Sequence, residues 1–68
     1  MTMNVKEVET RVAKIATLQG QADGEAHGLE DDLFLDVLKA IASGARNPVE
    51  LAAAAIKSAD LNIKRWTE

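Results

Sequence analysis

The stretch LQGQADGE, residues 18–25, decides the architecture. Ahead of it, Val5, Val8, Val12 and Ile15 recur every three or four residues, which places four aliphatic side chains on one stripe of a helix. Beyond it the same register continues through Ala26, Leu29 and Leu33, so the hydrophobic spacing alone would permit one long helix. Gly20 and Gly24 argue against continuity, because each glycine costs roughly 1 kcal/mol in a helix interior. Gly20 also follows Leu18, the last strong apolar residue, where a left-handed helix end belongs. The chain is expected to turn here and form a hairpin.

Working outward, NVKE at 4–7 reads as a helix start, with Asn4 as cap and Glu7 at the reciprocal capping-box position. The first helix is expected over about 4–19. A second, capped by Asp23, should run over 24–43 with Ala26, Leu29, Leu33, Val37, Ala40 and Ile41 along one side and Phe34 and Leu38 widening it. SGARNP at 43–48 ends it at Gly44. NPVE then starts a third helix over 48–58: Asn47 as cap, Pro48 at the first helical position and Glu50 closing a capping box. Leu51, Ala55 and Ala59 fall roughly on one face of that helix, with Ala52 and Ile56 beside it. DLNIKRW, at 60–66, follows as an extended tail or a short turn capped by Asp60. No strand-like run is present. The expected fold is all-α, a single domain over residues 1–68 with an antiparallel helical hairpin, a third helix and a short packed tail.

Sixty-eight residues set a tight energetic limit. Apolar burial in so small a chain roughly cancels an ordering cost of about 1.5 kcal/mol per residue. Disulfides, metals or oligomers usually relieve that balance. The sequence has no cysteine, which excludes disulfides and the common zinc sites and leaves self-association. A homodimer is therefore expected, its interface formed by Val5, Val8, Val12 and Ile15. Trp66, beside Arg65, is a further interface candidate or a lid over the open end of the bundle, both residue types being enriched at binding hot spots.

Charge is unevenly placed. The net charge is −3, but residues 20–36 alone carry six acids and no lysine or arginine, while residues 37–68 have a surplus of two bases. Such polarity suits self-association or another protein better than a nucleic-acid backbone. No apolar run approaches the roughly 20 residues of a membrane span. The opening residues lack the apolar core of a secretion signal, and the expected location is cytoplasmic.

The single histidine, His27, lies among carboxylates in GEAHGLEDDLFLD, residues 24–36. His27, Glu30 and Asp31 are the candidate metal ligands, since Asp31 is four residues and Glu30 three residues along a helix from the imidazole. A stable site needs three or four convergent groups, and no second histidine exists. The expectation is a solvent-facing histidine, with no metal or cofactor. The acids Glu30, Asp31, Asp32 and Asp36 would need a second acidic motif on a facing helix to hold magnesium, and only Glu7, Glu9 and Glu50 are on offer. The spacing Gly20, Gly24, Gly28 follows no strand and lacks the ending of a phosphate loop. No convergent catalytic set emerges, and the chain is expected not to be an enzyme.

Two resemblances bear on this. The segment 37–66, through Val37, Leu38, Ala40, Ile41, Gly44, Arg46, Glu50, Leu51 and Ala52, resembles the helix-turn-helix core of winged-helix regulators of the arsenic-repressor type. That resemblance implies DNA binding by a recognition helix in the tail, offering Asn62, Lys64 and Arg65. The departures are Ile56 where a tight turn needs glycine, and no residues for a wing. The chain from about 5 to 66 is also similar to a group of short bacterial all-α proteins that share an A-H-x-L-E-D helix, a D-V-L-x-A-I-A helix end and an R-W tail. This second resemblance implies a bacterial cytoplasmic setting and marks His27, Glu30, Asp31, Arg65 and Trp66 for mutation. It assigns them no role. The leading expectation is a non-enzymatic interaction module acting as a homodimer, with a DNA-binding regulator second and a His27 metal protein third.

Overall fold

The computed structural model describes residues 3–61 and residue 63. Among them the chain forms three α-helices, α1 (Val5–Thr17), α2 (Asp23–Ala42) and α3 (Pro48–Ile56), then one 3₁₀ turn (Lys57–Asp60), and no strand. Each helix packs against the other two, giving a small all-α bundle.

Local chemistry sets the boundaries. The Asn4 side chain accepts from the Glu7 amide at 2.8 Å, which caps α1. The chain then reverses at Gly20, whose φ of +75° lies where side-chain-bearing residues are strained. Asp23 does not cap α2. It lies inside the first turn, Ala22 holds the cap position, and the Asp23 carboxylate instead accepts from the Gly20 amide at 2.8 Å. The acid expected to start the helix therefore closes the turn before it.

Helix α2 ends in a paired-bond motif about Gly44, φ +91°. The Gly44 amide donates to the Ile41 carbonyl and the Ala45 amide to the Ala40 carbonyl, each at 3.0 Å, satisfying carbonyls the helix leaves open. Pro48 begins α3 as its fixed φ favours, but Asn47 makes no side-chain cap bond. The third helix is shorter than expected. After Ile56 it tightens into the 3₁₀ turn, and Leu61 is extended at φ −73°, ψ 148°, so Asp60 caps no further turn.

The hairpin is antiparallel. Met3 and Glu7 border the same cleft as Ala40 and Ala45, Arg11 pairs with Asp36, and Ile15 lies near Leu29. The core is Val8 and Ile15 from α1, Ala26, Leu33 and Val37 from α2, and Leu51, Ala54 and Ala55 from α3, closed by Met3 and Ile63. The valine stripe is thus occupied inside one chain. Val8 and Ile15 are fully buried and Val5 and Val12 half-buried against the core, so Val8 and Ile15 have no surface left for a second copy. On α3 the buried positions are Leu51, Ala54 and Ala55, while Ile56 at its end and Ala59 in the 3₁₀ turn are exposed.

Candidate functional site

The structure separates the three residues considered as metal ligands. His27 is half-buried, and its Nε2 stands 3.6 Å from Asp31 Oδ1, one turn along α2. Glu30, between them in sequence, points the opposite way into the core and is only 3% exposed. Among the described residues no three histidine, aspartate or glutamate side chains converge on one point. Helix periodicity explains the split: residues 27 and 31 share a face, and 30 falls with 26, 33 and 37 on the buried one.

Glu30 has its own partner. Ser58, fully buried in the 3₁₀ turn, donates its hydroxyl to Glu30 Oε2 at 2.5 Å. Among the described residues no buried side-chain nitrogen or oxygen lacks a hydrogen bond. The pair is sealed from solvent, so it ties the turn to α2 and offers no access to a substrate. Of the acids Glu30, Asp31, Asp32 and Asp36, Glu30 alone is turned inward, while the other three are exposed. The signal was available in the spacing of Ala26, Glu30, Leu33 and Val37, a core register occupied once by an acid.

An open cleft of about 410 Å³ lies between the start of α1 and the end of α2. Its walls carry Glu7, Arg11, Asp36, Lys39 and Arg46 over the apolar surface of Met3 and Ala40. Arg11 Nη1 donates to Asp36 Oδ2 at 2.9 Å, so one of its three cations is already paired across the helix interface. The floor lies at the carbonyl end of α2, which carries partial negative charge. Charge of both signs thus lines the cleft, with Ser43 at its α2 end.

No family model, curated protein or solved structure matches the chain.

Apolar surface supplies the remaining feature. Leu35 and Leu38 on α2 are 51% and 62% exposed, and Val49 and Ile56 on α3 are 75% and 62% exposed. Leu35 and Leu38 are three residues apart and Val49 and Ile56 seven, so each pair shares one helix face. Trp66, Arg65, Lys64 and Asn62 lie outside the described residues. For the tail reading as a recognition helix, residues 57–61 are a 3₁₀ turn followed by extended backbone. No described helix is long and apolar enough to cross a membrane.

Proposed function

We propose that this chain is a helical interaction module that works by binding its own kind, with no catalytic step. The carrying observation is the set of large aliphatic side chains turned outward on α2 and α3, Leu35, Leu38, Val49 and Ile56, after the bundle has buried Val8, Ile15, Leu33 and Leu51. Their exposed faces are the natural contact surface, in place of the α1 stripe expected from sequence. The energetic limits of a 68-residue bundle support the same reading, since a second copy adds burial at no further cost in chain length. DNA binding is the rival, and the described part of the segment it would use contains no α-helix beyond Ile56.

The test is the dependence of thermal stability on concentration. If folding and pairing are linked, the melting temperature rises as protein concentration is raised a hundredfold, and Leu38→Asp abolishes that rise. A melting temperature that stays constant over that range, with sedimentation at the monomer mass, refutes the proposal.

A further inference from the structure

Helix α2 carries a second seam that faces away from the bundle. The inward seam is Ala26, Glu30, Leu33 and Val37. On the opposite side Gly28, Asp31, Leu35, Leu38 and Ala42 follow at intervals of three, four, three and four residues, and each is exposed. That alternation is the spacing of paired helices, here with its two leucines at the middle and small residues toward the ends. Asp31, near one end, has His27 of its own chain beside it at 3.6 Å.

Charge along one flank specifies the partner. Glu25, Asp32 and Lys39 stand seven residues apart on the same side of this seam. All three are exposed, and the ion pairs among the described residues, Arg11–Asp36 and His27–Asp31, involve none of them. Their order is acid, acid, base.

Resting on the self-association proposed above, we infer that two copies pair antiparallel through this face of α2, about a two-fold axis between Leu35 and Leu38. Antiparallel pairing sets each helix's flank against the same flank of its neighbour. Leu35 then meets Leu38 of the second copy and Asp32 faces its Lys39, each contact made twice by symmetry. A parallel pair would lay acid end against acid end and base end against base end. The segregation of charge within α2 thus selects both the occupant and its direction.

The experiment is charge-swap complementation read by analytical ultracentrifugation. Wild type, Asp32→Lys, Lys39→Asp, the double variant and an equimolar mixture of the two single variants are compared at equal total concentration. Both positions are exposed, and circular dichroism checks that every variant is folded. Each single variant should dimerise about tenfold more weakly than wild type, because two attractions become repulsions. The mixture and the double variant should recover, since both restore opposite charges across the axis. A wild type that is monomeric throughout removes the self-association reading and this inference with it. A wild type that dimerises while the single variants match it, or while the mixture fails to recover, overturns the antiparallel α2 pairing alone.

Discussion

The Ser58 hydroxyl donates to Glu30 Oε2 at 2.5 Å inside the core, joining the 3₁₀ turn to the middle of α2. A carboxylate among apolar side chains is tolerated only when hydrogen-bonded. Ser58→Ala deletes a donor and leaves the acid where it is. Urea unfolding should show a loss of about 1–3 kcal/mol, a large share of the few kcal/mol available to a chain this size. A loss below about 0.5 kcal/mol would show that the bond does not hold the turn.

Val8 separates the two possible uses of the α1 stripe. It is fully buried within one chain, so Val8→Asp places an unpaired charge in the core of the protomer itself. Circular dichroism should report an unfolded chain at every protein concentration. Val12, half-buried, should tolerate Val12→Ala with a loss of about 1 kcal/mol. A folded, monomeric Val8→Asp variant would instead return the stripe to the outside of the molecule.

Arg11 and Asp36 pair at 2.9 Å with side chains 29% and 48% exposed. Solvent screens such a pair, and a double-mutant cycle with alanine at both positions should give a coupling of about 0.2–1 kcal/mol. The coupling should shrink toward zero in 1 M salt, where the screening length falls to about 3 Å. A coupling that survives high salt would mean the two side chains hold the hairpin by packing.

His27→Ala should alter stability by less than about 0.5 kcal/mol, the range of ordinary surface positions, because the 3.6 Å contact to an Asp31 side chain that is 68% exposed is weak. Calorimetric titration with zinc or nickel reads the other possibility directly. Stoichiometric binding that disappears in His27→Ala would establish a metal site built on this face.

What could be read beforehand follows the range over which each cause acts. Asn4, Gly20, Gly44 and Pro48 act on backbone atoms a few residues away, so their effects were legible in short windows. Asp23 illustrates the limit even there, since its carboxylate had amides on both sides and took Gly20 instead of its own helix. The α1 stripe was correctly seen as a stripe, but what it faces depends on where α3 packs, and that is set by the whole chain. Glu30 was hidden because its chemistry argued for solvent while its register argued for the core. The helix of alanines gave least: with four small side chains in a row, Ala52 to Ala55, spacing alone did not decide that Ala54 and Ala55 turn inward and Ile56 outward.

The two left-handed glycines have a consequence for chemical synthesis, which a chain of this length permits. At φ near +75° and +91° the backbone of Gly20 and Gly44 suits a mirror-image residue better than any genetically encoded side chain. An L-alanine at either place would be strained although nothing lies within 4 Å of its Cβ. A D-alanine would accept the native angles and restrict the unfolded chain, adding about 0.4–1 kcal/mol at each position. Stereochemistry at two atoms would then report, without touching the core, whether both reversals of the chain keep their handedness in solution.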